Sequence, residues 1–242
     1  MNKIKNSVVI YKGPSLAVPD TEIAVILAGI NGKSNNDKIG NMAQLWIITT
    51  TSEPSIACAN GKDKAICGNC HQRPVNNGNC YVNKYHMHKM HKALVDNRYE
   101  FLAPKDVGIS LADHNTKIRI TAYGDIAVVP NASKILTQLI ISDQEFTAYT
   151  HLFTETFFDQ DLLKWCVLSV DSLPHKLETK KHYPNNKTYR VLAKDELKQD
   201  DEIMCPSKKI PLPHGGFRRN IQCQTCLLCN SNSKFDITVD TI

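Results

Sequence analysis

Lys117–Ala193 reads KIRITAYGDIAVVPNASKILTQLIISDQEFTAYTHLFTETFFDQDLLKWCVLSVDSLPHKLETKKHYPNNKTYRVLA, and its alternation of apolar runs with helical patterns decides the fold class. KIRITAYGD (117–125) predicts a strand and ASKILTQLIISD (132–143) a helix after Pro130 and Asn131. EFTAYTHLF (145–153) predicts the next strand and DQDLLKW (159–165) a short helix. WCVLSVDS (165–172) is a third strand, PHKLETKKHY (174–183) a helix with Pro174 in its first turn, and KTYRVLA (187–193) a fourth strand. Strands separated by helices imply right-handed βαβ units. The expected fold is α/β, a mainly parallel sheet of βα units that is partly TIM-barrel-like.

Upstream, SVVIYKG (7–13), TEIAVILAGI (21–30) and AQLWIIT (43–49) are β-branched runs of strand length, so residues 1–55 read as a β-rich segment. The polar stretch Asn31–Asn41 reads as a surface loop. Residues 83–97 carry helical spacing, with Asn83 as a candidate cap, whereas 99–116 read as loop. Two cysteine-rich lobes, at 56–98 and 205–232, flank the βα core at 117–204.

The first lobe is built on CANGKDKAICGNCHQRPVNNGNC (58–80), four cysteines among almost no apolar side chains. A segment this polar cannot order itself by burying a core of its own. Cys58, Cys67, Cys70 and Cys80 form one quartet; Cys205, Cys223, Cys226 and Cys229 form another; Cys166, inside a strand, reads as a buried thiol. The Cys67-Gly68-Asn69-Cys70 knuckle can turn two thiolates towards one ion. Three cysteines packed into residues 223–229 with a remote fourth suit Zn2+ or a [4Fe–4S] cluster equally. His71 is an alternative ligand to Cys58, and pairing between the lobes stays open.

Composition bounds the rest. With 29 Lys and Arg against 24 Asp and Glu, the formal charge is +5, compatible with a nucleic-acid partner. The N-terminal apolar run ends at Ile10, too short for a secretory signal, and no run approaches a membrane span. The expected location is the cytoplasm, without membrane contact. Thiols stay reduced there, which favours metal over disulfides.

The strand ends carry the candidate chemistry. Asp125, His151 and Asp171 fall at equivalent places on successive strands, where a parallel sheet keeps its working groups. Helix capping is the competing role for both aspartates. Basic residues beside the cysteines offer a nucleic-acid surface: Lys84, Lys89, Lys92 and Arg98 at the first lobe, Lys208, Lys209, Arg218 and Arg219 at the second.

YKGPS (11–15), NMAQLWI (41–47), ICGNCHQRP (66–74), CYVN (80–83), AYGD (122–125), AYTH (148–151), SVDS (169–172), TYRV (188–191), CPS (205–207) and CQTCLLC (223–229) occur in this order. The set resembles a group of uncharacterised proteins of bacteriophages and mobile elements with CGDCPxR, CYV, YGDP, GYTH and CP…TCxxCxLC blocks. Ile126 and His71 stand where those blocks have proline. The resemblance implies a phage or plasmid origin, and matches the cysteines, Tyr123, Gly124, Asp125, Tyr149, Thr150, His151 and Asp171. More distantly the strand-end layout looks like half of a radical-SAM-type barrel, without that superfamily's C-x3-C-x2-C spacing. Three functions are therefore expected in order: a nucleic-acid-associated metalloprotein; an enzyme using Asp125, His151 and Asp171; and a zinc-stabilised adaptor gripping a protein partner.

Overall fold

The computed structural model describes residues 4–32, 37–78, 80, 82, 85–141, 144–207, 209–212, 217–231 and 234–240. The chain begins with β1 (Ser7–Pro14), β2 (Glu22–Ala28) and β3 (Ala43–Thr49). Ile23 to Leu27 of β2 are all buried, as an unbroken apolar run in a central strand must be. The first cysteine segment folds into α1 (Pro54–Ala59), α2 (Lys64–Cys67) and a 3₁₀ turn at Pro74–Asn76; α3 (Tyr85–Val95) follows.

Residues 99–116 are not a loop. They form β4 (Glu100–Phe101) and α4 (Pro104–Asp113), with Pro104 in the helix's first turn and Val107 and Leu111 buried one turn apart. Gly108 disguises this helix by lowering its intrinsic propensity. A Cβ there would lie 2.6 Å from the Gln138 carbonyl oxygen, so the glycine is what lets α4 press onto the next helix.

The βα core comprises β5 (Ile118–Tyr123), α5 (Ala132–Leu139), β6 (Phe146–Thr147), β7 (Tyr149–Thr150), β8 (Val167–Ser169), α6 (Leu173–His182) and β9 (Thr188–Val191). The segment 145–153 is two short strands rather than one, broken at Ala148, and 160–164 is a 3₁₀ helix. The C-terminal part adds β10 (Glu202–Met204), β11 (Lys209–Pro211), β12 (Phe217–Arg219), α7 (Cys223–Cys226) and β13 (Asp236–Val239).

Two sheets result, beside the β11–β12 hairpin. The first runs β4-β1-β2-β3-β5-β6, antiparallel between β1, β2 and β3 and parallel at β1–β4, β3–β5 and β5–β6. The second, β10-β13-β9-β8-β7, is parallel throughout. Only Ala148 separates β6 from β7, and the Tyr149 amide donates to Thr121 Oγ1 of β5 at 3.3 Å. The second sheet thus starts where the first stops. The fold is mixed α/β with mostly parallel pairing.

β13 enters between β9 and β10 from far along the chain, and a buried ionic cluster fixes it. Lys176 of α6 meets Asp201 at 2.8 Å, Glu202 at 3.1 Å and Asp236 at 3.3 Å. Arg190 of β9 donates to both Glu202 oxygens at 2.6 and 2.8 Å, and also pairs with Glu196. Burial raises the Glu202 pKa, but hydrogen bonds from Arg190, the Gln199 amide and Lys176 outweigh it and hold the carboxyl at about 2.

Candidate active site at the carboxyl edge of the sheet

The carboxyl ends of β5, β7 and β8 carry Tyr123-Gly124-Asp125, Thr150-His151 and Ser169-Val170-Asp171. Local backbone geometry re-aims the first of these. From Arg119 to Tyr123 β5 advances four residues while its partner β3 advances two, from Gln44 to Trp46. Within that bulge Thr121 has φ +61°, a left-handed value that a β-branched residue adopts only under constraint. Gly124 follows with φ +77°, and a Cβ there would sit 2.8 Å from Ile47 Cβ. The bulge and the glycine set the Asp125 amide 2.8 Å from the Ile66 carbonyl of α2, docking the cysteine lobe on the strand end.

Asp125 is buried and its oxygens are already occupied. It accepts from the Ala127 amide at 3.1 Å, the Thr150 hydroxyl at 3.0 and 3.1 Å, and the His151 amide at 2.7 Å. Burial pushes its pKa up against these donors. The carboxylate caps the 3₁₀ turn at Ile126–Val128 and ties the end of β7 to the end of β5. That is the work of a positioning residue.

Asp171 differs. Ser172, not Asp171, caps α6, accepting from the His175 amide at 3.3 Å. The Asp171 carboxylate receives His71 Nδ1 at 2.9 Å and Gln72 Nε2 at 3.2 Å, both from the cysteine lobe. His175 Nδ1 lies 3.7 Å from the same carboxylate and accepts the Asp171 amide at 3.2 Å. His71 is mostly exposed with Nδ1 fixed on a carboxylate, the arrangement that orients an imidazole for proton transfer. His151 completes the cluster. Burial holds it below its ordinary pKa although Asp125 and Asp171 favour its charged form; His175 and His71 add to the depression.

The expected trio therefore converges, and three partners join it that the sequence reading left out of the catalytic set: His71, Gln72 and His175. His175 had a legible signal, since it stands four residues beyond Asp171 across a proline-initiated helix start. His71 was read only as an alternative metal ligand; here its ring sits on Asp171.

The cysteines adjoin this cluster. Cys70 lies close enough to Asp125, Asp171 and Cys80 to feel their charge; burial foremost, aided by those neighbours, pushes its thiol up to about 12. Cys67, at the end of α2, senses Cys70, Cys80 and Cys58 in the same way. Cys58 is not a lobe-surface residue: it is buried in the main core, its Sγ 3.1 Å from the Tyr123 hydroxyl. Gly68, at φ +52°, lets the knuckle rest on Leu152, just past His151. Arg73 braces the lobe, reaching Asp63 at 2.6 Å, the Gly61 carbonyl at 2.8 Å and the Gly68 carbonyl at 3.2 Å.

The second quartet is elsewhere. Lys117, which precedes β5, donates to the Gln224 carbonyl at 2.7 Å; Lys187, which precedes β9, donates to Leu228 and Asn230 carbonyls at 2.5 and 2.7 Å. Ser231 donates to the Lys164 carbonyl ahead of β8 at 2.9 Å. Residues 224–231 thus cover the amino ends of the strands. Cys229 senses Cys223, Cys205 and Tyr149, while Cys223 senses Cys226. All nine cysteines are free thiols, and among the described residues no group of three or more His, Cys, Asp and Glu is drawn together in metal-holding geometry.

The expected basic surface is less open than its sequence suggests. Lys92 and Arg98 each pair with Asp96, at 3.1 and 3.4 Å, and Arg219 donates to the Ser207 carbonyl at 2.8 Å. Lys89 is exposed. Lys84, Lys208 and the candidate cap Asn83 lie outside the described residues, as do the side chains of Lys209 and Arg218. Among the described residues no helix is long and apolar enough to cross a membrane. No family model, curated protein or solved structure matches the chain.

Proposed function

We propose that the protein is an enzyme that performs general acid–base chemistry on a small polar substrate at the carboxyl edge of a partial (βα) barrel. The observation that carries this reading is the seating of His71 and Gln72, from the cysteine lobe, on Asp171 at the end of β8, beside His151. Four segments of chain contribute to that cluster, a cost in ordering entropy that a purely structural contact does not require. Asp171 orients the His71 imidazole, His71 and His151 exchange protons with the substrate, and Asp125 fixes the strand ends.

In this reading the first quartet, Cys58, Cys67, Cys70 and Cys80, holds Zn2+ or a [4Fe–4S] cluster that keeps the lobe over the edge. Cys205, Cys223, Cys226 and Cys229 hold a second, structural ion. The number and spacing of the cysteines in the sequence support this. The resemblance to phage and mobile-element proteins is in keeping with an enzyme working in a host cytoplasm. Nucleic-acid association is the second reading, supported by the +5 charge and the exposed Lys89, and tested by salt-dependent binding of oligonucleotides.

The test is turnover of a panel of carboxyl-ester and phosphoester substrates by anaerobically purified, metal-replete protein. Asp171→Asn and His71→Ala should lower turnover by about 100-fold or more while leaving the fold intact. A panel without turnover, or variants as active as wild type, overturns the enzyme reading. An absorbance band near ~400 nm in the same sample assigns iron–sulfur, and a colourless sample releasing zinc assigns the other ion.

A further inference from the structure

His175 lies in the first turn of α6, and its imidazole is held on two sides. Nδ1 accepts the Asp171 amide at 3.2 Å, while the Ser172 hydroxyl accepts the His175 amide at 3.3 Å, so side chain and backbone close the helix start reciprocally. The ring also stacks on Phe153, with centroids 5.9 Å apart and planes at 27°. Phe153 is itself buried, with Tyr183 edge-on to it at 5.9 Å and the Tyr183 hydroxyl donating to its carbonyl at 3.3 Å. Packing therefore fixes the imidazole before any ligand arrives.

The hydrogen bond at Nδ1 decides where the proton sits. A ring nitrogen that accepts from an amide carries no hydrogen, so the His175 proton is on Nε2. The competing arrangement is an imidazolium paired with Asp171 through an Nδ1–H. The nearer Asp171 oxygen is 3.7 Å away, beyond hydrogen-bond length, and the Asp171 amide would then face a second N–H. His71 meets the opposite demand. A carboxylate only accepts, so His71 Nδ1, 2.9 Å from Asp171 Oδ2, is the nitrogen that carries the proton. Asp171 thus selects one tautomer at His71 with its side chain and the other at His175 with its backbone.

Helix capping accounts for Nδ1 of His175 and leaves Nε2 unexplained. A Glu or Gln near this position closes a helix start as well, whereas the imidazole adds a second polar atom. That atom has no partner among the described residues and is not sealed from solvent, and the side chain is 34% exposed. Among the described residues no Lys or Arg pairs with Asp171, His71, His151 or His175. A rigid N–H without formal charge, close to a carboxylate, favours an uncharged oxygen over an anionic one.

The geometry points to His175 as the Nε2–H donor to the carbonyl oxygen of an uncharged carboxyl ester or amide, which rests on the acid–base reading and names its substrate class. Long-range proton–nitrogen correlation spectra of the full chain at neutral pH should show His175 protonated at Nε2 alone; an Nδ1–H or doubly protonated pattern overturns the assignment. N-methylacetamide, an uncharged carbonyl, should shift the Nε2 resonance saturably, and inorganic phosphate should not. No shift with the amide, or a larger one with phosphate, overturns the substrate class. Neither measurement needs turnover, so a silent ester panel sinks the acid–base edge while the spectra still judge the donor. Where esters turn over, His175→Asn keeps an acceptor for the Asp171 amide and removes the donor. It should lower carboxyl-ester kcat by about 100-fold or more with little change in unfolding midpoint, and His175→Gln, which returns an N–H near the Nε2 position, should recover about tenfold of that loss. An Asn variant as active as wild type overturns the donor role.

Discussion

Arg73→Ala is the substitution whose consequences reach furthest. Its guanidinium and the Asp63 carboxylate are both buried, 7% and 1% exposed at the side chain, and meet at 2.6 Å. Two further donations fix the carbonyls of Gly61 and Gly68, one on each side of α2. Deleting the arginine leaves a carboxylate in the interior with no cation, the circumstance in which breaking a buried pair costs about 3–5 kcal/mol. The loss should be local, because the pair lies within one lobe and the main core does not depend on it. Hydrogen exchange is therefore the assay: amides of α2 and the Cys67–Arg73 turn should lose roughly 100-fold or more of their protection, while β2 and β3 keep theirs. Asp63→Leu in the arginine-free background should recover most of the loss, since an apolar pair of similar volume removes the stranded charge. Arg73→Lys should recover little, as one ammonium cannot serve three acceptors set around a planar fork. If Arg73→Ala left lobe protection within about threefold of wild type, the view that this ion pair braces the lobe would be refuted.

Three other expectations follow from single contacts. Gly68→Ala should destabilise the lobe by about 1–3 kcal/mol, measured by urea unfolding, because its φ of +52° is combined with a Cβ position 2.8 Å from Leu152. Gly108→Val should cost more than Gly108→Ala in the same assay, since any side chain there meets the Gln138 and Leu139 carbonyl oxygens at 2.6 and 2.8 Å. Glu202, held at about 2 against an ordinary 4.5, contributes stability that is fully present above pH ~4.5 and is lost as pH falls towards 2. That shift corresponds to about 3 kcal/mol, and Glu202→Gln should flatten the acid limb of stability against pH.

The parts of the fold written in local periodicity were legible from residues alone. EIAVILA read as a run of strand length, and LPHKLETKKH carries Pro174 in its first turn as a helix start allows, although its cap is Ser172 rather than the expected Asp171. What escaped was set by distant contacts. α4 was masked by Gly108, whose purpose appears only once α5 is packed against it. β13 carries four residues and no turn signal, and becomes a strand because Asp236 meets Lys176, Lys180 and the Thr188 amide. The site divides the same way. Asp125, His151 and Asp171 were visible because strand ends are predictable positions. The inequality between the aspartates was not, since it depends on which donors reach each carboxylate. Asp125 is saturated by amides from its own neighbourhood, whereas Asp171 waits on a lobe about 100 residues away in sequence, through His71.

That dependence gives the two cysteine sets different work. Residues 224–231 clasp the amino ends of the strands through Lys117, Lys187 and the Lys164 carbonyl, at the edge of a parallel sheet where stability rather than chemistry is usually invested. The first set adjoins the edge where His71 meets Asp171: Cys58 touches Tyr123 in the core, and Cys70 feels the charges of Asp125 and Asp171. Cys226→Ser should therefore lower the unfolding midpoint of the whole chain and leave the His71–Asp171 contact in place at lower temperature. Cys70→Ser should do the reverse: a small change in midpoint, with the His71 imidazole released from its carboxylate. The ring resonances of His71 report that release directly, because they respond to the loss of the Asp171 contact at Nδ1. Equal effects of the two substitutions on midpoint and on His71 would mean that the lobes share one role, and the assignment of chemistry to the carboxyl edge would lose its structural basis.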